Sequence, residues 1–165
     1  MKNEKIEIRE VSYNDALRLI LKNEDLEAKR RGVVFTNERK ENATKYFKEN
    51  KTFKYYMAND FAVIAVCFRK EFNTYEISEI YVAKQYRGKH IASKLFKAAF
   101  SKFNDKDWIV EVNAENIQGI CFYSKMGFKQ LLFIDHDSYK IPFKTILMVK
   151  KVNGSANFRI PKSKK

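Results

Sequence analysis

Eight consecutive apolar residues, Phe61-Ala-Val-Ile-Ala-Val-Cys-Phe68, constrain the fold of this 165-residue chain more than any other stretch. A membrane span needs roughly 18 such residues, and no apolar run in the sequence reaches that length. The run reads instead as a strand buried on both faces. Asn59-Asp60 stands before it, a pair that tolerates the positive φ of a tight turn, so Phe53–Ala58 and Phe61–Phe68 are expected to form a hairpin.

The neighbouring segments carry their own periodicities. Ile6–Val11 alternates apolar and polar residues as an opening strand does. Ser12-Tyr-Asn-Asp15 has the form of a capping box, and Ala16, Leu17, Ile20 and Leu21 follow at helical spacing until the pattern ends at Gly32. A lysine-rich second helix is expected from Asn37 to about Asn50, anchored by Tyr46 and Phe47. After the hairpin comes a strand over Tyr75–Val82. A helix from about Gly88 then presents Ala92, Leu95, Phe96, Ala99, Phe100 and Phe103 as one stripe. Trp108–Val112 reads as a short buried strand, Asn116–Lys125 as a helix, and Phe128–Ile134 and Thr145–Val152 as two closing strands. The order β-α-α-β-β-β-α-β-α-β-β implies one α+β domain over residues 1–152, with a central, mostly antiparallel sheet. Residues 153–165 are expected to be a basic, flexible tail.

Composition excludes several classes. An apolar fraction of 45% supports a packed core, while 5 glycines and 2 prolines are too few for a collagen-like or linker-dominated chain. Cys67 and Cys121 sit in apolar stretches without metal-ligand spacing, and both are expected to be buried, reduced thiols; no metal site is expected. The N-terminus is charged from Lys2 onward and lacks a signal-peptide apolar segment. The formal charge of +13 attracts polyanions, but the lysines are scattered and only 8 of the 33 basic residues are arginines. Solubility and codon bias explain this charge better than nucleic-acid reading does.

One segment points to chemistry. In Ile80-Tyr-Val-Ala-Lys-Gln-Tyr-Arg-Gly-Lys-His-Ile-Ala92 a buried strand ends and, a few residues later, a strong helix opens. That arrangement gathers unpaired amides and the positive end of a helix dipole into an anion site, with Lys84, Arg87 and Lys89 adding mobile charge. A glycine at Gly88 keeps a Cβ from holding a diphosphate off the backbone.

Together with Trp108–Phe128, this segment resembles the GNAT superfamily of N-acetyltransferases, which use acetyl-CoA. Gln85-x-x-Gly88-x-His90 is similar to the family's Gln/Arg-x-x-Gly-x-Gly/Ala loop. Asn116, Gly119, Tyr123, Lys125, Gly127 and Phe128 stand where its Asn-x-x-Ala-x-x-x-Tyr-x-Lys-x-Gly-Phe signature has them. Ile8-Arg9 through Asp15 looks like its first strand entering its first helix. Two positions depart: His90 replaces the second glycine, and Gly119 the alanine.

The resemblance implies a splayed pair, Tyr75–Val82 and Trp108–Val112, with the pantetheine arm of acetyl-CoA in the cleft against the main chain of Ile80, Tyr81 and Val82. The pyrophosphate would take the amides of Arg87, Gly88, Lys89, His90, Ile91 and Ala92. Asn116 is implied to contact the cofactor, a role compatible with an ordinary helix N-cap. Tyr123 is implied near the CoA sulfur as general acid; a phenol, with an ordinary pKa near 10, suits that task. For the base, Glu76 and Glu79 lie on opposite faces of one strand because their separation is odd. Glu76 resembles the catalytic glutamate of the histone-acetylating branch, Glu79 is the runner-up, and Glu111 stays open.

The expected activity is transfer of acetyl to a primary amine by direct attack in a ternary complex. Alternatives are an aminoacyl-tRNA or protein amine held by a basic face, and a non-catalytic acyl-CoA-binding module. A +13 surface repels free polyamines unless Glu24, Asp25, Glu27, Glu38 and Glu41 form an acidic mouth, and Lys29-Arg30-Arg31 makes that region's sign mixed. A cytoplasmic monomer or homodimer is expected, with no membrane partner.

Overall fold

Ser12 begins the first helix as its sequence implies: the hydroxyl accepts the Asp15 amide, and the Asp15 carboxylate accepts the Ser12 amide. The computed structural model describes residues 5–136 and 142–152. In chain order these form β1 (Ile8–Val11), α1 (Tyr13–Arg30), α2 (Asn37–Glu49), β2 (Lys54–Ala58), β3 (Ala62–Arg69) and β4 (Thr74–Val82). A 3-10 turn (Lys84–Tyr86) precedes α3 (Ile91–Lys102), β5 (Trp108–Asn113), α4 (Ile117–Lys125), β6 (Lys129–His136) and β7 (Pro142–Lys150). The strands follow the order β1-β2-β3-β4-β5-β7-β6. The β1/β2, β2/β3, β5/β7 and β6/β7 pairs are antiparallel and β4/β5 is parallel. This is the mixed, mostly antiparallel sheet flanked by helices that the element order implies.

The chain divides into two compact units, Met1–Cys67 with Glu79–Lys102, and Phe68–Ser78 with Phe103–Lys165. In the first, register decides the layers. Tyr55 faces Ala65 and Met57 faces Val63, and these join Cys67 with Ala16, Leu19 and Ile20 of α1 and Phe47 of α2 in one buried cluster. Tyr56 and Ile64, one residue out of step, are buried too and belong to the opposite face. α3 contacts β1 and β2 yet adds nothing to the α1 cluster, so it covers that second face with Ile91, Leu95, Phe96 and Ala99. The double covering explains why β3 carries no polar alternation.

In the second unit Ile109, Leu147 and Val149 form a cluster with Phe72, Leu132 and Ile134 packed against it. Tyr75 lies among Phe68, Phe103 and Trp108, and the Trp108 indole N–H donates to the Phe103 carbonyl at 2.7 Å. Buried Asp107 accepts the Val152 amide and the Lys151 ammonium, each at 2.9 Å.

Several boundaries differ from the sequence reading. β1 begins at Ile8, and β7 covers Pro142–Lys150 rather than Thr145–Val152. Phe61 belongs to the turn, because the hairpin closes at Ala58↔Ala62 with Asn59 at φ 47. Tyr46 is 48% exposed yet packs edge-on against the buried Phe47 and Phe53, at 5.3 and 5.6 Å. Cys121 is exposed, not buried: it sits two residues from the inward-facing Tyr123, a step that turns it to the outer side of α4. Residues 153–165 lie outside the described residues. No described helix is long and apolar enough to cross a membrane.

Ile64, fully buried between the two helical layers, tests this packing. Ile64→Ala should lower unfolding free energy by about 2–5 kcal/mol, read from urea denaturation midpoints, without changing the slope.

Candidate functional site

The end of β4 and the start of α3 place one group of the candidate residues, all within the first unit. The turn is more elaborate than a direct strand-to-helix step. Ala83 leads into the 3-10 turn, the Tyr86 amide donates to the Ala83 carbonyl at 2.9 Å, and the Arg87 amide donates to Lys84 at 3.3 Å. Two left-handed residues follow, Gly88 at φ 77 and His90 at φ 58, and α3 opens only at Ile91 rather than at Gly88. Histidine enters the left-handed region more readily than most side chains, so His90 reproduces the backbone geometry a glycine would supply, and its ring is exposed. Among the described residues the amides of Gly88, Lys89 and His90 donate to no backbone group, and those of Ile91 and Ala92 are the first of the helix.

Five of the six expected amides are therefore free to face an anion. That of Arg87 is spent in the 3-10 turn. Its side chain is also committed, Nε donating to the Val82 carbonyl at 2.9 Å, so Arg87 is not the mobile charge expected of it. A Cβ built on Gly88 would meet no atom within 4 Å. A side chain there would be strained by the left-handed φ of 77 rather than by any neighbour. Main-chain donors, the α3 dipole and the Lys89 ammonium suit a phosphate ester.

Glu79 lies on the face of β4 turned to α1. It is buried, and Asn23 Nδ2 donates to its carboxylate. Burial, then the adjacent Glu24 carboxyl, then Glu27, raise its pKa well above the ordinary carboxylate range, and the Asn23 hydrogen bond only partly opposes them. Of the five acids that could form an acidic mouth, Asp25 pairs with Lys29 and Glu27 with Arg30 on α1, while Glu38 and Glu41 lie on α2.

The second unit holds the remaining groups. Glu76 is buried and ion-paired with Arg69, which also grips Glu71 at 2.6 Å. Burial pushes the Glu76 carboxyl up and Arg69 pulls it back in part. Burial lowers the Arg69 pKa, but its two carboxylates outweigh that and the net shift is upward. We regard the pair as ionised, because a guanidinium does not give up its proton in this range. Glu111 is exposed on β5.

Asn116 caps α4, accepting the Gly119 amide at 3.0 Å. A Cβ at Gly119 would stand 2.6 Å from the Asn116 amide nitrogen, so the missing alanine and the folded-over asparagine go together. At the other end, the Phe128 amide donates to Tyr123 at 3.0 Å and the Gly127 amide to Ser124 at 3.1 Å, with Gly127 at φ 91. This is a Schellman C-cap, and the Phe128 ring packs on Tyr123 at 5.7 Å. The Tyr-x-Lys-x-Gly-Phe spacing thus encodes a helix stop that locks Tyr123, 6% exposed, in place. Sequence reasoning missed Asn23, Arg69 and the Schellman role of Gly127; only the last had a local signal, a glycine just past a helical run.

Residues 51–130 match the family profile described as an acetyltransferase (GNAT) domain. No curated protein matches the chain in sequence. Solved structures share its fold at low identity. The IAA acetyltransferase from Bacillus cereus is 16% identical, with 90% of this chain and 100% of that chain covered and a TM-score of 0.69. Arabidopsis thaliana NAA60, in complex with a bisubstrate analogue, is 18% identical over 92% of this chain and 100% of that one, with a TM-score of 0.67. The PaiA N-acetyltransferase from Thermoplasma acidophilum, in complex with coenzyme A, is 18% identical over 90% and 99%, with a TM-score of 0.62.

The Glu79 carboxyl yields a prediction with a definite sign. Its pKa is raised in the folded state, so its contribution to stability is complete below the ordinary carboxylate range and is lost as pH rises through the elevated value. Glu79→Gln should melt with the unmodified protein near about pH 4 and above it near about pH 8, in paired calorimetric scans.

Proposed function

We propose, from the GNAT acetyltransferase profile matched over residues 51–130, that the chain moves the acetyl group of acetyl-CoA to a primary amine by direct attack in a ternary complex. The observation that carries this reading is the row of unspent amides from Gly88 to Ala92 beside open space at Gly88. The PaiA enzyme of similar fold was solved with coenzyme A, which supports the same cosubstrate here.

In the first unit the amides of Gly88 to Ala92, with Lys89, receive the pyrophosphate. The main chain of Ile80, Tyr81 and Val82 receives the pantetheine arm, and the Val82 amide serves the oxyanion. Glu79 is the base. Burial and the neighbouring Glu24 carboxyl raise its pKa well above the ordinary carboxylate range, which makes it the stronger proton acceptor for an ammonium. Glu76 is less suited, since Arg69 holds its carboxylate. The amine nitrogen attacks the thioester carbonyl, the C–N bond forms, and the C–S bond breaks as the tetrahedral intermediate collapses. In the second unit Tyr123 is the acid that protonates the departing thiolate, and Asn116 orders the start of α4. The cytoplasm, where acetyl-CoA is available, is the proposed site of action.

The test is thiol release from acetyl-CoA against a broad library of primary amines, with mass spectrometry of the products. One acetyl group should appear on an amine nitrogen. Binding of coenzyme A without turnover on any amine would leave only the non-catalytic reading. Tyr123→Phe should lower kcat by roughly a hundredfold and leave the coenzyme A dissociation constant unchanged. A fall in affinity instead would make the phenol a binding group.

A further inference from the structure

The tip of the β2–β3 hairpin lies against the same turn that exposes the amides. The Ala83 amide, first after β4, donates to the Phe61 carbonyl at 2.9 Å. Three residues further on, the Tyr86 ring lies on the Phe61 ring, with centroids 3.8 Å apart and planes 9° from parallel. A face-to-face pair this close is disfavoured by its own quadrupoles. The Lys89 ammonium, 5.4 Å from the Tyr86 centroid, supplies the charge that offsets this repulsion. The 3-10 turn is therefore clamped at both ends, by main chain at Ala83 and by the ring stack at Tyr86.

The hairpin tip is itself anchored. Arg18 of α1 donates to the Asp60 carbonyl at 2.9 Å, and Arg9 of β1 lies 3.5 Å from the Asp60 carboxylate. Asn59 accepts the Glu7 amide at 2.9 Å through its side chain and donates its own amide to the Glu7 carbonyl at 3.0 Å. Rigid elements thus hold Asn59 and Asp60, these hold Phe61, and Phe61 holds Tyr86. Gly88, left-handed like His90, is two residues beyond and is held locally by its neighbour Arg87, which donates to the Lys84 and Val82 carbonyls.

We propose that this hairpin tip is a brace for the diphosphate-binding turn, and that Phe61 is a positioning residue for coenzyme A acting through its stack on Tyr86. The inference rests on the acetyl-CoA reading above. The ring contributes by holding the amides in register before the ligand arrives, so its loss is felt in cofactor affinity and not in the chemical step.

Titration calorimetry with coenzyme A, on the unmodified chain and on Phe61→Leu, Phe61→Tyr and Tyr86→Leu, tests it. Phe61→Leu and Tyr86→Leu should each weaken binding by roughly threefold to tenfold, the cost of ordering a side chain only when the ligand binds, and raise the KM for acetyl-CoA alike. The kcat and the KM for the amine should stay as they were, and Phe61→Tyr should restore affinity. Unaltered affinity in the folded leucine variants would overturn the brace. So would a fall in kcat at constant KM for acetyl-CoA. Should one leucine variant fail to fold, the other decides alone. If the unmodified chain itself binds no coenzyme A, the acetyl-CoA reading fails first, a result distinct from a brace that makes no difference.

Discussion

The parallel pairing of β4 with β5 is the constraint from which the rest of the architecture follows. Antiparallel neighbours can be joined by two residues, but parallel ones require a crossover long enough to return the chain to the same end. Here the crossover contains α3, so a helix N-terminus must follow the carboxyl end of β4. A row of exposed main-chain amides is a consequence of that topology. The paired register comprises only Tyr75↔Trp108 and Glu76↔Ile109, at the beginning of both strands.

Period-two geometry then distributes the carboxylates of β4. Glu76 and Glu79 are three residues apart and face opposite sides, so one meets a guanidinium and the other a carboxyl pair. Both are buried, and burial alone moves both in the same direction. Their difference comes from company: Arg69 makes Glu76 half of a fixed ion pair, while Glu24 and Glu27 leave Glu79 reluctant to ionise. A group held at its charge is a structural element, and a group poised between states is a chemical one.

Order in the functional turns comes from short-range devices. The Schellman cap at Gly127 fixes Tyr123 through two main-chain bonds and one ring contact. The Asn116 cap requires Gly119 to lack a side chain. At the β4–α3 turn the 3-10 bonds and the Arg87–Val82 contact hold the first residues, two left-handed residues in three follow, and the hairpin tip adds a longer-range hold.

The amino-acid sequence by itself determined the element order, the doubly covered β3, the Ser12 capping box, and the two motifs that mark an acetyltransferase. Each is a local pattern, of period, cap or spacing, which neighbouring residues express without help. It also placed Glu76 and Glu79 on opposite faces, since alternation is a property of any strand. Tertiary structure alone decided which of them pairs with Arg69 and which is buried against Glu24. It likewise drew Phe61 out of β3 to stack on Tyr86. These outcomes depend on groups from 7 to 56 residues apart for the two glutamates, and 25 apart for the ring stack. No periodicity records such encounters, because burial and charge at a residue are set by whichever segments the fold brings against it.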